Sequence, residues 1–212
     1  MNLWLSSHLL VAGLFLSSSA LTPEECQPLM TPLSLADPST MFGRWNFIAG
    51  FTDHEAYNDI LKKSDSSWMN FTASTSGHDT IIMSQENRIG GNCMASKVNV
   101  AIDGNTLSTS VANVTTTFHL LPSCDGCLLM SANCTARDLD KLLHVMKVDS
   151  NVTAEEVHIH VLYLMAREAT VKDSDLEHLK QQASCFGFTK EPDFIYDPKN
   201  GFCAEGEGFK LF

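Results

Sequence analysis

Eight short stretches of this chain carry β-type patterning: 43–52, 66–74, 79–88, 93–102, 106–112, 114–121, 127–133 and 157–166. Between them stand turn signals at Gly77, Gly90-Gly91, Asp103-Gly104 and Asp125-Gly126. Asp-Gly favours a two-residue hairpin because the central residues of that turn need positive φ. Strands joined mostly by hairpins pair with their sequence neighbours, so the pattern predicts an antiparallel up-and-down meander. Eight such strands close into a barrel, which removes the exposed edges and leaves room for one small ligand. The fold class predicted is therefore all-β, an eight-stranded barrel, with two helical additions. In Ala136–Lys147, Leu139, Leu142, Leu143 and Met146 share one face; Ser174–Ser184 follows acidic residues and runs into the breaker Gly187. The Pro-rich segment 23–38 reads as irregular.

Residues 1–20 hold an uncharged apolar run, Leu9 to Leu16, followed by small residues at Ser18 and Ala20. A run this far short of ~20 apolar residues does not span a bilayer, and the pattern is that of a secretory signal peptide cleaved after Ala20. Residues 21–212 are expected to form a single domain, secreted into extracellular fluid and monomeric. A net charge of −11 with 14 Lys+Arg argues against nucleic acid and anionic membrane surfaces, both of which reward clustered cations. Seven Cys in an exported chain imply disulfides, with at least one thiol left over. Sequons at Asn70, Asn113, Asn133 and Asn151 fit a secreted glycoprotein surface. A glycosylated Asn must face outward, so each also orients its strand.

Gly43-Arg44-Trp45, at the start of the first strand, resembles the G-x-W signature of lipocalins, whose Trp plugs the closed end of the barrel. The stretches GRWNFIAGF, EAYN, SWMNFTAS, HDTIIMSQEN, NTLSTSV, LYLMARE and CFGF, with DFIYDPKNGFC, follow in the order of the orosomucoid (alpha-1-acid glycoprotein) branch, from Cys26 to Cys203. Within it the chain resembles the fish members described as tributyltin-binding and saxitoxin- and tetrodotoxin-binding proteins. The resemblance implies Trp45 as the barrel plug and bridges Cys26–Cys185 and Cys93–Cys203. Each closes a loop of more than a hundred residues, for which the chain-entropy account expects about 4–5 kcal/mol. Cys124 and Cys127 flank an Asp-Gly turn and suit a cross-strand bridge; the rival zinc reading lacks a second pair of ligands. Cys134 is then the leftover thiol. Two departures stand out: Gly187 occupies the place where the family carries an Arg stacked on the signature Trp, so that lock is missing or replaced, and 135–156 is a longer insertion.

An outward Asn70 sends Met69, Phe71 and Ala73 inward and Trp68 and Thr72 outward. The same alternation turns Trp45, Phe47, Ala49 and Phe51 inward, with Ile81, Met83, Gln85 and Asn87, then Leu107, Thr109 and Val111, then Val157, Ile159, Val161 and Tyr163. The expected ligand site is Phe47, Phe51, Met69, Phe71, Met83, Gln85, Asn87, Thr109, Val161 and Tyr163, a largely apolar lining with a few polar groups. For most of these, plain core packing is the competing reading. Orosomucoid-like pockets often carry an acid and an Arg where this chain has Gln85 and Thr109, so the pocket is more neutral. Rim loops are expected at 53–65, 89–92 and 112–114.

These readings converge on a secreted carrier that reversibly binds a small, largely hydrophobic molecule, a xenobiotic or toxin included. No cofactor or metal is implied. His158 and His160 alternate on one strand face and suit a metal, but the register points them outward. Three other functions compete. An enzyme would need an inward, activated thiol, and Cys134 has no adjacent base. An acute-phase or immunomodulatory glycoprotein would act through protein partners. A binder of guanidinium toxins would need carboxylates, for which Asp53, Glu55 and Glu86 are the rim candidates.

Overall fold

The computed structural model describes residues 21–111, 113–148 and 155–211. The expected signal segment 1–20 and the sequon residue Asn151 lie outside the described residues. Strands β1 (Gly43–Thr52), β2 (Ser64–Ala73), β3 (Thr80–Ile89), β4 (Asn92–Asp103), β5 (Thr106–Val111), β6 (Val114–Leu121), β7 (Cys127–Arg137) and β8 (Glu156–Ala166) each pair antiparallel with the next, and β8 returns to β1. The result is a closed up-and-down barrel, as the turn signals predict. β7 runs to Arg137 rather than ending at 133, because Cys134 to Arg137 pair with Ile159 to Glu156 of β8. The insertion helix is correspondingly short, α3 (Leu139–Val145).

Two helices were not legible as such. α1 (Pro23–Met30) forms inside the Pro-rich segment because Pro23 sits at its first position and Thr22 caps it, with Glu25 closing a reciprocal capping box. α2 (Glu55–Lys63) replaces the expected rim loop 53–65, with Glu55 in its first turn, Lys62 and Lys63 in its last, and Ala56, Ile60 and Leu61 buried. α4 (Asp173–Cys185) packs Leu179 and Ala183 on the outer face of the sheet, and its last residue bridges to α1 through Cys26–Cys185 (Cα–Cα 5.5 Å). Cys93–Cys203 ties β4 to the C-terminal tail and Cys124–Cys127 clasps the β6–β7 turn.

One irregularity changes which residues face inward. The β1–β8 register shifts between Phe47 and Ala49, leaving Ile48 as an extra residue in β1. Such a bulge reverses the alternation beyond it. Phe47 therefore points into the barrel, whereas Ile48, Ala49 and Phe51 join the outer cluster under α4, where Phe51 packs 5.5 Å from the ring of Phe188. Phe51 and Ala49, expected inward, are thus outside the barrel. Gly50 takes the inward position, and only Gly fits: a Cβ there would lie 2.6 Å from Phe47 and 3.0 Å from Tyr163.

The closed end centres on Trp45, whose indole donates to the Met41 carbonyl at 2.7 Å. The Arg lock, absent at Gly187, is replaced from a different place. Arg167, directly after β8, lays its guanidinium 3.5 Å over the indole and donates to the carbonyls of Arg44 (2.9 Å) and Phe42 (2.7 Å). Trp68 points outward as the alternation requires, yet the tail buries it: its indole donates to Cys203 O at 2.8 Å, beneath the Arg44 guanidinium. The tail adds β9 (Phe194–Ile195) against β1 and β10 (Phe209–Lys210), which runs parallel along β4 at Met94–Ala95.

Candidate ligand-binding cavity

The barrel encloses a cavity of ≈ 240 Å³. Of the expected site residues, Phe47, Met69, Met83, Gln85, Asn87, Thr109 and Tyr163 line it together. Phe71 and Val161 are fully buried in the surrounding core without reaching the space, and Phe51 is excluded by the bulge. The helices supply what alternation along strands could not show. Tyr57, Ile60 and Leu61 from α2 and Leu139 and Leu142 from α3 roof the open end, with Met146 just past α3. Their apolar spacing along each helix is the available signal: Tyr57 and Leu61 stand four residues apart, as do Leu142 and Met146.

No charged side chain lines the cavity among the described residues. Its polar groups form two sets. On one wall, Ser67 Oγ and Gln85 Nε2 both donate to Asn87 Oδ1, at 2.7 and 2.9 Å. Gln85 and Asn87 are half-buried, and this pairing sets a small polar patch against an otherwise largely apolar space. On another wall stand the Tyr57 and Tyr163 phenols; burial pushes the Tyr57 phenol up to about 12 and the Tyr163 phenol well above its ordinary value, the two reinforcing each other. Both are neutral hydroxyls at any physiological pH.

Cys134 was expected at a strand end without a cavity role. It instead lies within β7 and faces the cavity, the only free cysteine among the described residues, with Thr116 Oγ1 donating to its sulfur at 3.4 Å. Burial raises its thiol above the usual value, the opposite of the shift a nucleophile needs.

The expected rim acids do not converge on this space. Glu86 is on the outer face and buried, its carboxylate accepting from the backbone of Gly206 (2.7 Å) and Gly208 (3.1 Å), so it fastens the tail. Asp53 accepts from the His160 backbone at 2.8 Å, joining the start of the α2 loop to β8. Glu55 is exposed at the head of α2. His158 and His160 are on the outside of β8: His158 meets Glu156 at 3.4 Å and Thr135, while His160 packs against Phe186 and Phe188 and bonds Ser131. Of the sequons, Asn133 and Asn113 are exposed, the latter donating to Asp138 at 2.8 Å, and Asn70 sits on the outer side of β2. The one cluster of metal-type ligands among the described residues is Cys93, Cys203 and Glu207, whose two sulfurs are already consumed in a disulfide.

No protein-family profile matches the sequence, and no curated protein sequence matches it. Solved structures do match in fold. Siderocalin Q83, described with a dual ligand-binding mode, superposes with a TM-score of 0.57 at 16% identity, over 79% of this chain and 95% of its own. The siderocalin Ex-FABP, described as functioning through dual ligand specificities, gives 0.54 at 14% identity, over 74% and 94%. The bovine lipocalin allergen Bos d 2 gives 0.50 at 14%, over 71% and 88%. The barrel is that of the lipocalin fold.

Proposed function

We propose that this chain is a secreted, orosomucoid-type carrier that reversibly binds a small, neutral, largely hydrophobic molecule in the barrel. The observation that carries the reading is the cavity itself: inside the barrel, mostly apolar, with a polar patch at Ser67, Gln85 and Asn87 and no charged side chain among its described lining residues. A ligand that buries an apolar body and hydrogen bonds the Gln85–Asn87 patch matches this lining. Solved lipocalins of the same fold are described by their ligand binding. Three disulfides and no described helix long and apolar enough to cross a membrane support an extracellular setting. A guanidinium toxin is disfavoured as the interior ligand, since no carboxylate lines the cavity among the described residues and Glu86 is committed to the tail. Catalysis by Cys134 is disfavoured by its raised thiol.

The test is fluorescence titration with N-phenyl-1-naphthylamine, a neutral aromatic probe. The disulfide-intact protein is expected to enhance probe emission saturably. Met83→Asp should weaken binding tenfold or more, because it places a carboxylate in a largely apolar space with no cation among its described lining residues, while the unfolding midpoint shows whether the fold survives. No saturable enhancement with the parent protein sinks the carrier reading.

A further inference from the structure

The polar groups of the cavity are not scattered around it. One set comes from three neighbouring strands: Ser67 on β2, Gln85 and Asn87 on β3, and Ser96 on β4. The other comes from the three strands across the barrel and from α2: Thr116 on β6, Cys134 on β7, Tyr163 on β8 and Tyr57. In a closed ring of eight strands, β3 and β7 stand four places apart in either direction, so the two sets face each other. The strands between them offer little that hydrogen bonds. Among the described lining residues β1 contributes Phe47, and β5 contributes Val111 and Thr109. The Thr109 hydroxyl is already spent on Asn99 O at 3.0 Å, and Ser64 Oγ on Ile60 O at 2.9 Å. Every other described lining residue is apolar.

Both walls are held in place. Ser67 Oγ and Gln85 Nε2 converge on Asn87 Oδ1, which ties three side chains of two strands into one unit. Opposite, the Tyr163 ring lies over Gly50, whose missing Cβ leaves it room, and tilts 60° against Phe47 with centroids 4.8 Å apart. Beside it Thr116 Oγ1 donates to Cys134 Sγ at 3.4 Å. Burial raises the Tyr57 and Tyr163 phenols and the Cys134 thiol, so this wall is neutral and presents O–H and S–H groups. The space between is ≈ 240 Å³. That is below the ~300–1,000 Å³ of drug-sized sites and matches the liquid share of about eight waters at roughly 30 Å³ each.

We propose that the ligand of this cavity is two-ended: a compact neutral molecule of one or two rings with a hydroxyl or carbonyl at each end, spanning from the Ser67–Gln85–Asn87 wall to the Tyr57–Tyr163 wall. Its apolar body fills the space between them. This rests on the carrier reading and narrows it to a ligand class. A molecule with a single polar end sets apolar surface against one of the walls, and that wall loses its hydrogen bonds to water without replacement. A fatty-acid-like chain fits worse, because its carboxylate meets no cation among the described lining residues.

The experiment is displacement of bound naphthylamine probe by biphenyl, para-phenylphenol and para,para′-biphenol, which share one apolar body and carry no, one and two hydroxyls. Affinity for the disulfide-intact protein is expected to rise with each hydroxyl, by roughly two- to tenfold per neutral hydrogen bond gained. Gln85→Leu on one wall, and Tyr57→Phe combined with Tyr163→Phe on the other, should each weaken the diol relative to biphenyl by roughly two- to tenfold. The mono-ol turns end for end, so its ratio to biphenyl should fall only when both walls are altered together. A general loosening of the barrel moves all three compounds alike and leaves these ratios unchanged, which separates recognition from stability. A diol that binds the parent protein no more tightly than biphenyl, or a diol-to-biphenyl ratio that neither wall's variants change, overturns the proposal. Absence of naphthylamine binding by the parent protein is a different result: it sinks the carrier reading and takes this proposal with it.

Discussion

Replacing Arg167 should open the closed end of the barrel. Its guanidinium covers the Trp45 indole at 3.5 Å and donates to Arg44 O and Phe42 O, so one side chain pins both ends of the turn that carries Gly43. Gly43 itself leaves no room for a Cβ, which would lie 2.9 Å from Arg167 Nη1. Charge-assisted hydrogen bonds contribute about 1.5–3 kcal/mol when buried. Arg167 is exposed, so screening reduces each to about 1 kcal/mol, and an exposed cation–π contact adds roughly 0.5–1 kcal/mol. Arg167→Met keeps the aliphatic stem over the indole and loses the donors and the charge; the expected loss is roughly 2–3 kcal/mol, or about 5–10 °C in Tm for a domain of this size. Arg167→Lys, which retains a charge without the planar fork, should fall between Met and the parent. Urea unfolding of the disulfide-intact protein, followed by the fluorescence of Trp45 and Trp68, measures both. An Arg167→Met protein within about 0.5 kcal/mol of the parent would refute the lock.

The bulge in β1 makes a second prediction. Phe51→Ala should destabilise by about 3–5 kcal/mol, as for a fully buried aromatic, yet leave the affinity for naphthylamine unchanged, because Phe51 packs under α4 and not in the cavity; a matched loss of affinity in a folded variant would place it inside after all. His160 predicts a pH dependence. Burial against Phe186 and Phe188 holds its imidazole below the ordinary 6.5, with Asp53 acting in the opposite direction. A histidine whose folded pKa is depressed contributes stability that is present above the unfolded pKa and is lost as pH falls through the folded one. Unfolding free energy should therefore decline on acidification below 6.5, and His160→Phe should flatten that slope; an unchanged slope assigns it to other groups.

The strands were legible in the sequence because a half-buried strand repeats every two residues and Asp-Gly turns mark where it reverses. The fold class and the eight barrel strands follow from that local signal to within a few residues, and the inward set on β2 and β3 follows from the outward Asn70. Seven of the ten expected cavity residues line the space because their strands are regular up to that point. Phe51 failed for a specific reason. A bulge is one extra residue whose presence depends on the partner strand, here the pairing of Phe47 with Met165 and of Ala49 with Leu164, and nothing in GRWNFIAGF announces it.

What only the tertiary structure decided is everything that closes the barrel. Arg167 reaches Trp45 from 122 positions away in sequence, in place of the residue the family pattern led one to seek, because a stacking contact needs proximity in space and not a fixed spacing. Glu86 reads as a rim acid until the tail is in place and its two glycine N–H groups claim the carboxylate. Cys134 reads as a strand end until β7 extends through it and turns its thiol inward. Alternation along a chain reports which face a residue shares with its neighbours. Which of those faces encloses a cavity, and what lies across it, depends on contacts between segments far apart in sequence, and those exist only once the barrel has closed.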